Sequence, residues 1–129
     1  HQIITMASMI EAEARGAEDR AIVSGIFWKR RDRGMRLQAD STVNYITGKR
    51  DARVSFDDAS LDSAYNTYRY GGLPRGPINN PGMDAILAAL RPKASPYWFF
   101  ITTKEGKAVF ARTLEEHNTN VARFLDAVR

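Results

Sequence analysis

The sequence of 129 residues contains no cysteine and only two histidines. Without cysteine it can form no disulfide and supports no thiolate chemistry. The histidines, His1 and His117, are far apart and one of them is terminal, so they match no metal-ligand spacing. We therefore expect neither a metal nor a cofactor. No apolar run approaches the roughly 20 residues that a membrane-spanning helix needs.

The composition that remains is that of an ordinary globular domain. Hydrophobic residues make up 43% and charged residues 26% of the chain, which suits a single domain with a genuine core. The net charge of +4 favours anionic partners without choosing between nucleic acid, anionic lipid and acidic glycan. Because the chain begins with His-Gln and shows no signal peptide, we expect a piece of a longer protein whose anchor or targeting segment is missing.

Helical periodicity is clearest near the N-terminus. Apolar residues recur at helical spacing over residues 3–15, and Gly16 is the expected stop. A second helix begins with the acidic residues 18–19 and ends at Gly34. The basic run just before that glycine, residues 29–33, suits the negative end of the helix dipole. The run therefore favours helix-end charge over a nucleic-acid site.

The middle of the chain predicts a short helix between two irregular segments. We expect this helix to start at an Asp40/Ser41 cap and to end at Gly48. Polar residues 49–63 predict a surface excursion. Residues 65–82 concentrate glycine, proline and asparagine, which predicts a loop.

The last part of the chain starts with another helix. Asn80 as its cap and Pro81 as its first residue predict a helix that runs to about Leu90. Residues 97–103 and 108–114 are aromatic and β-branched runs on either side of a glycine-containing turn, which predicts a β-hairpin.

A capping box then predicts a final helix, with Thr113 and Glu116 at the required spacing. The expected inner face of this helix comprises Val121, Phe124, Leu125 and Val128. Helices outnumber strands, and the strands are neighbours in sequence. The predicted fold class is therefore α+β: a helix-rich single domain with a small antiparallel β-hairpin.

Two carboxylates in the first helix, Glu11 and Glu13, are the strongest candidates for chemistry. At about 100° per residue they point roughly 200° apart, so they cannot act as a pair on one atom. Glu11 has Arg15 four residues on, which predicts an intrahelical ion pair and a structural role. Glu13 has no such cation and lies among apolar neighbours, which raises a carboxyl pKa and suits a general acid. An exposed helix glutamate without chemistry is nevertheless far commoner.

A second candidate is the aromatic and amide-rich loop. Tyrosine rings stack on sugars or bases, and asparagine both donates to and accepts from hydroxyl groups. Composition alone slightly favours a plain surface loop whose tyrosines pack on the core. The residues concerned are Tyr65, Asn66, Tyr68, Tyr70 and Asn79.

Five stretches together give a specific resemblance. They are "ASMIEAEA" at 7–14, "GMRLQADSTVNY" at 34–45, "AYNTYRYGGLPRGPINNPG" at 64–82, "YWFF" at 97–100 and "EHN" at 116–118. In this order they resemble the catalytic domain of the endolytic murein transglycosylases of the MltG/YceG-like family. The resemblance covers nearly the whole chain, residues 1–129. Family members usually add an N-terminal membrane anchor and a LysM-like subdomain, and neither is in this sequence.

The resemblance implies a reaction and a set of site residues. The reaction is non-hydrolytic cleavage of the β-1,4 bond between N-acetylmuramic acid and N-acetylglucosamine, which leaves a 1,6-anhydro end. The family's essential glutamate, the second of the E-x-E pair, falls on Glu13, which would act first as acid and then as base. Substrate contacts are expected from Gln38, Tyr65, Asn66, Tyr68 and Asn118. For His117 a purely structural role at the start of the last helix is as well supported as a role in the site.

The resemblance also implies partners and a location. The expected partner is the glycan strand of peptidoglycan, and no nucleic acid is expected to bind. The resemblance also allows contact with the cell-wall synthesis machinery. The full-length protein would be held by its anchor in the cell inner membrane, with this part soluble on the periplasmic or extracytoplasmic face. Two alternatives stay open: a glycan-binding module that has lost activity, and a basic nucleic-acid-binding domain that uses Arg30, Arg31, Arg33 and the tyrosines.

Overall fold

A computed structural model of the protein describes residues 1–49 and 54–125. Over these residues it contains six α-helices and one two-stranded antiparallel sheet. The helices are α1 Gln2–Glu13, α2 Ala17–Asp32, α3 Asp40–Thr47, α4 Phe56–Ala59, α5 Met83–Leu90 and α6 Leu114–Asn120. The strands are β1 Phe99–Thr102 and β2 Ala108–Ala111, and a π-helical turn, Val121–Leu125, follows α6. The predicted α+β class is confirmed.

Helix α1 lies at the centre of the fold and packs against α2, α3 and α5. Every residue from Thr5 to Ile10 is buried, so the helix is enclosed on all sides over this stretch. Met6, Met9 and Ile10 have no exposed surface, and burial of each such side chain contributes about 1.5–3 kcal/mol. The core therefore fixes α1 and, with it, the position of the glutamates at its C-terminal end.

Small residues let α5 approach α1 and α2 closely. Ala85, Ala88 and Ala89 face the core, and the indole nitrogen of Trp28 on α2 donates to the Ala89 carbonyl at 3.0 Å. The chain after α5 continues this contact, since the Lys93 N–H donates to the Ala21 carbonyl at 3.0 Å. The three helices thus form one packed unit.

The hairpin closes the remaining side of the core. Phe99 pairs with Ala111 and Thr102 with Ala108, and the ring of Phe100 meets Phe27 of α2 edge to face at 5.5 Å. The Thr102 hydroxyl donates to the Glu13 carbonyl at 2.7 Å. This hydrogen bond ties the hairpin to the C-terminal end of α1.

Most predicted elements are confirmed, with shorter bounds. The hairpin and the Thr113 cap are present, and the Thr113 hydroxyl accepts from the Glu116 N–H at 3.1 Å. The loop over 65–82 contains no helix or strand. The predicted surface excursion contains the short helix α4, and part of it lies outside the described residues, as does Val128 of the predicted inner face.

Two predicted helix starts are wrong. Helix α5 begins at Met83 with Gly82 as its cap residue, so Asn80 and Pro81 precede it. Helix α3 has Ala39 as its cap residue and no side-chain cap of its own. Both starts take a hydrogen-bond acceptor from α1 instead, because Glu11 accepts from the Gly82 N–H and Glu13 from the Ser41 N–H. A local sequence pattern cannot show such a distant acceptor.

Among residues 1–49 and 54–125, no helix combines the length and the apolar character that crossing a bilayer requires.

The close contact at Gly25 generates a stability prediction. A Cβ at this position would lie 2.0 Å from the Lys93 carbonyl oxygen. Gly→Ala inside a helix normally stabilises it by about 0.5–1 kcal/mol, but here the overlap with backbone reverses the sign. We expect Gly25→Ala to lower the free energy of unfolding by about 1–3 kcal/mol in urea denaturation. Gly71→Ala is the control, because a Cβ there meets no atom within 4 Å. An unchanged or more stable Gly25→Ala would contradict this packing.

Candidate active site

Glu13 is the last residue of α1, and its carboxyl group meets the start of α3. The Ser41 N–H donates to Glu13 Oε2 at 2.9 Å. The first N–H groups of any helix lack partners within it, and they attract negative charge. The side chain of Glu13 is half-buried, with its remaining surface facing two cavities. The fold thus places one carboxyl between a helix N-terminus and open space.

The environment of Glu13 changes its acidity. Burial raises its pKa from 4.5 to about 7. Ser41 opposes this rise through its hydroxyl and its N–H, while the nearby charge of Asp40 adds to it. A carboxyl with a pKa of about 7 holds its proton in about half of the molecules at neutral pH, so it can both donate and accept a proton there.

Glu11 has a different environment. Its Oε2 accepts from Arg20 Nη2 at 2.7 Å, and its Oε1 accepts from the Gly82 N–H at 2.8 Å. The predicted ion pair of Glu11 with Arg15 is therefore wrong, because Arg20 of α2 is the partner. The guanidinium of Arg15 instead lies against the hairpin turn at Gly106. Glu11 holds α1 to α2 and to the start of α5.

A first cavity of about 380 Å³ opens beside Glu13. Four predicted site residues line it together: Glu13, Gln38, Tyr68 and Asn118. Hydrophobic side chains from the hairpin and the C-terminal segment form its apolar surface: Phe99, Phe100, Ile101, Leu114, Val121 and Leu125. Amide and hydroxyl groups beside aromatic surface suit a carbohydrate, whose rings have apolar faces and polar edges.

Tyr68 and Gln38 are fixed by contacts of the loop and the segment before α3. The Tyr68 hydroxyl donates to Asp40 Oδ1, and burial raises the pKa of Tyr68 so that the hydroxyl stays protonated. Gln38 has a φ of 51°, the left-handed region that a residue with a Cβ seldom occupies. Backbone strain of this kind persists where the surrounding structure enforces it.

Arg30 and His117 lie at the same cavity. Arg30 is 6% exposed and donates to the carbonyl oxygens of Trp98 and Arg36, both at 2.8 Å. Within the described ranges it forms no ion pair with a carboxylate. His117 stacks on Phe99 at 5.1 Å between ring centroids, and burial and the charge of Arg30 lower its pKa. Arg30 and His117 thus add one cation and one imidazole of lowered pKa to a lining that also contains Glu13 and Asp40.

A second cavity, of about 630 Å³, adjoins the first. Glu13, Asp40, Thr102 and Leu125 line both, so the proposed acid lies at their boundary. The remaining polar lining of the second cavity is Glu11, Arg15, Ser41, Asn44, Thr103 and Lys104. A long molecule can therefore occupy space on either side of the Glu13 carboxyl.

Tyr65 and Asn66 line neither cavity. Tyr65 packs against Tyr45 at 4.9 Å between ring centroids. Asn66 is 1% exposed, and its side-chain amide donates to the carbonyls of Ala59 and Leu61 at 3.0 and 2.8 Å. Its Oδ1 accepts from the Tyr68 N–H at 2.9 Å. Substrate contact by Tyr65 and Asn66 stays a prediction, and Asn66 also orients the segment that carries Tyr68.

Thr67 is a site residue that the sequence reasoning missed. Its hydroxyl accepts from the Ala39 N–H at 2.9 Å and hydrogen-bonds the Thr42 hydroxyl at 2.9 Å, and its carbonyl accepts from the Gln38 N–H at 3.2 Å. These bonds hold the 65–82 loop against the start of α3. Thr67 lies inside one quoted motif and its partners inside another, but no local pattern shows that these two stretches are in contact.

The cavities are also lined by Asp40, Ser41 and Arg30, for which the sequence predicts neither a catalytic nor a substrate-binding role in the transglycosylase site. The capping pattern had assigned Asp40 and Ser41 to their own helix, and the basic run had assigned Arg30 to a helix end. Both assignments place these residues at helix ends, but neither shows that they line the cavities. Among the described residues, no group of three or more histidine or acidic side chains is arranged to hold a metal ion.

Comparisons with known proteins agree with this architecture. A model of the YceG-like family matches residues 1–123. The chain is 42% identical over 127 residues to an endolytic murein transglycosylase of Bacillus subtilis and 33% identical over 133 residues to one of Streptococcus pneumoniae. Each alignment covers 98% of this chain, but only 35% and 24% of the relatives.

A solved structure shows the same fold. It is the crystal structure of a YceG-like protein from Listeria monocytogenes, with a TM-score of 0.85 and 45% identity. The match covers 92% of this chain and 39% of that one. The chain therefore spans between about a quarter and two fifths of the relatives it matches.

The raised pKa of Glu13 generates a stability prediction. The folded value of about 7 lies above the value of 4.5 for an unperturbed glutamate, so the folded state binds the proton more tightly than the unfolded state. Folding stability therefore falls as pH rises from 4.5 to 7, and Glu13→Gln removes this loss. The quantity to measure is the unfolding free energy of Glu13→Gln minus that of the parent. We expect this difference to be up to about 3 kcal/mol larger at pH 8 than at pH 4.

Glu11→Gln is the matched comparison, measured by the same urea titrations. It removes the charge from the ion pair with Arg20, so we expect a loss of about 1 kcal/mol at pH 8. Equal stability differences for Glu13→Gln at both pH values would contradict the raised pKa.

Proposed function

The chain belongs to the YceG-like family, and on that premise we propose that it is the catalytic domain of a lytic peptidoglycan transglycosylase. The bond cleaved is the β-1,4 bond between N-acetylmuramic acid and N-acetylglucosamine within a glycan strand. The observation that carries this proposal is the Glu13 carboxyl, which has a pKa of about 7 and lies at the boundary of two adjoining cavities.

Glu13 begins the reaction as a general acid. Its protonated carboxyl gives the proton to the glycosidic oxygen while the bond from that oxygen to C1 of the muramoyl ring breaks. The N-acetylglucosamine side leaves as an alcohol, and positive charge develops on the muramoyl ring. Glu13 is now a carboxylate, stabilised by the N–H of Ser41 at 2.9 Å.

The same group completes the reaction as a base. The carboxylate takes the proton of the muramoyl C6 hydroxyl, and the C6 oxygen bonds to C1 to form the 1,6-anhydro ring. Glu13 ends the cycle protonated, and no water is consumed. One carboxyl with a pKa near 7 suits both steps, because neither proton transfer is then strongly uphill. The mechanism therefore needs no catalytic role for Asp40, the second carboxylate that lines both cavities, whereas hydrolytic enzymes use two carboxylates.

The other lining residues would bind and orient the strand. Gln38, Tyr68 and Asn118 offer amide and hydroxyl groups to sugar hydroxyls, and the aromatic wall offers apolar surface to ring faces. Asp40 favours the protonated form of Glu13 and also holds the Tyr68 hydroxyl. Asn66 and Thr67 act indirectly by fixing the loop that carries Tyr68.

The proposal extends to the protein that contains this domain. The chain covers only 24–35% of the transglycosylases it resembles, so further segments belong to the architecture of the relatives. In the proposed full-length protein an N-terminal anchor holds this domain at the extracytoplasmic face of the inner membrane. There it would reach peptidoglycan and the enzymes that build it.

The two alternatives differ in how well the site supports them. Nucleic-acid binding by the basic run is disfavoured, since Arg30 is buried and engaged with two carbonyl oxygens. An inactive glycan-binding module would keep both cavities and would need no proton-holding carboxyl. The raised pKa of Glu13 favours the enzyme.

Digestion of purified peptidoglycan tests the activity, with products read by mass spectrometry. We expect fragments with 1,6-anhydro ends from the parent chain and a loss of at least about 100-fold in rate for Glu13→Gln, because an amide cannot donate the proton. Glu18→Gln is the control; this exposed residue pairs with Lys93 and lines neither cavity. Reducing ends would contradict the non-hydrolytic mechanism, and binding without cleavage would favour the inactive module.

The pH dependence tests the role of Glu13 separately. The free protein must hold the proton to start the reaction, and the pKa of Glu13 is about 7. We therefore expect kcat/KM to fall about tenfold for each pH unit well above 7. A profile that stays flat to pH 9 would show that another group supplies the proton.

A further inference from the structure

The second cavity lies where a cleaved polymer must continue. An enzyme that cuts inside a strand binds sugars on both sides of the bond, and Glu13 lies at the boundary of both cavities. The second cavity is the larger, at about 630 Å³ against 380 Å³. Two exposed cations, Arg15 and Lys104, line it, whereas the one arginine of the first cavity, Arg30, is buried and donates to two carbonyl oxygens.

Three acidic residues, Glu11, Glu13 and Asp40, line the same cavity as these two cations. Neither Arg15 nor Lys104 forms an ion pair with a carboxylate within the part of the chain that the structure describes. The neighbouring carboxylate of Glu11 is already paired with Arg20 at 2.7 Å. Two unpaired cations beside a cavity would attract an anionic group of a ligand.

The fold holds both cations beside the same turn. Lys104 belongs to the hairpin turn, and the Arg15 side chain lies across Gly106 of that turn. A Cβ at Gly106 would be 3.0 Å from both Arg15 Cδ and Arg15 Nη1, so the glycine leaves room for the guanidinium. The Thr102–Glu13 hydrogen bond of 2.7 Å fixes the hairpin relative to α1. Two elements distant in sequence therefore present positive charge to one cavity.

We propose that the second cavity is a subsite for a carboxylate-bearing muramoyl residue, with Arg15 and Lys104 as its anion-binding side chains. The inference rests on the proposed function. In the proposed substrate only the muramoyl units carry acid: N-acetylglucosamine is uncharged, whereas the lactyl group of N-acetylmuramic acid ends in a carboxyl. That carboxyl is either free or amide-linked to a peptide whose own carboxylates replace it. Carboxylate binding would thus fix the register in which the alternating strand lies across the Glu13 carboxyl.

Direct binding tests the subsite without relying on cleavage. Soluble glycan strands are titrated by calorimetry into Glu13→Gln and into the same protein with Arg15→Ala and Lys104→Ala added. We expect Kd to rise at least about tenfold for the added pair, the effect of losing about 1.4 kcal/mol of binding free energy. Lys107→Ala on the same background is the matched control, because Lys107 lies in the same hairpin and lines neither cavity. An unchanged Kd for the added pair, or an equal rise for Lys107→Ala, would overturn the proposal.

The choice of strand identifies the carboxylate. Strands with all carboxyl groups amidated should bind the Glu13→Gln protein as weakly as the unmodified strands bind its Arg15→Ala/Lys104→Ala form. The same titrations are repeated with strands stripped of peptide. If the lactyl carboxylate is the bound group, the two substitutions still raise Kd for these strands. If the peptide carboxylates are the bound groups, the substitutions no longer change Kd. Insensitivity to amidation would overturn the subsite.

Kinetics with the active parent separate this inference from the proposed function. On strands that the parent cleaves, Arg15→Ala/Lys104→Ala should raise KM with kcat largely retained, since the Glu13 acid is untouched. If the parent forms no anhydro ends but the binding differences persist, the proposed activity fails and the subsite stands. If the parent cleaves and KM is unchanged, the subsite fails and the activity stands.

Discussion

The position and the acidity of the Glu13 carboxyl both depend on its hydrogen bond from the Ser41 N–H. This hydrogen bond joins the last residue of the central helix to the first turn of α3, and it makes one side chain both a helix cap and the proposed acid. Burial pushes the carboxyl toward its neutral form, while the helix N-terminus and Ser41 favour the charged form. The pKa of about 7 is the balance of these effects and of the nearby charge of Asp40, which also raises it. A group that must give up and regain a proton in one cycle requires such a balance.

The surrounding segments are arranged to maintain that contact. The buried stretch of α1 from Thr5 to Ile10 fixes one partner, and the Thr67 hydrogen bonds to Ala39 and Gln38 fix the other. The hairpin adds a third restraint through Thr102, which donates to the backbone of Glu13 itself. The Glu13 carboxyl lies where these segments meet, and both cavities border it.

The sequence predicted the elements well and their junctions poorly. Periodicity and turn residues located the helices and the hairpin, since those signals are local. The starts of α3 and α5 were misplaced because their caps are Glu13 and Glu11, residues that lie far away in sequence. The same limit explains the wrong prediction for Glu11, because its partner Arg20 lies in the next helix and Arg15 is only the local candidate.

The raised pKa of Glu13 agrees with the expectation from its apolar neighbours, and its catalytic role stays a prediction. The contacts of Ser41 and Thr67 could not be anticipated, because their partners lie far away in sequence.

The long-range nature of the Glu13 environment bears on how the domain is made. Residues 13, 41 and 67 come together only in the folded chain. The Glu13 carboxyl accepts from Ser41, and the 65–82 loop binds the start of α3 through Thr67, only after this folding. A nascent or partly folded chain carries only an ordinary glutamate, with an acidity like that of any exposed side chain. The proposed proton transfers would then be latent until the chain has folded. Completion of the fold would itself be the activating event.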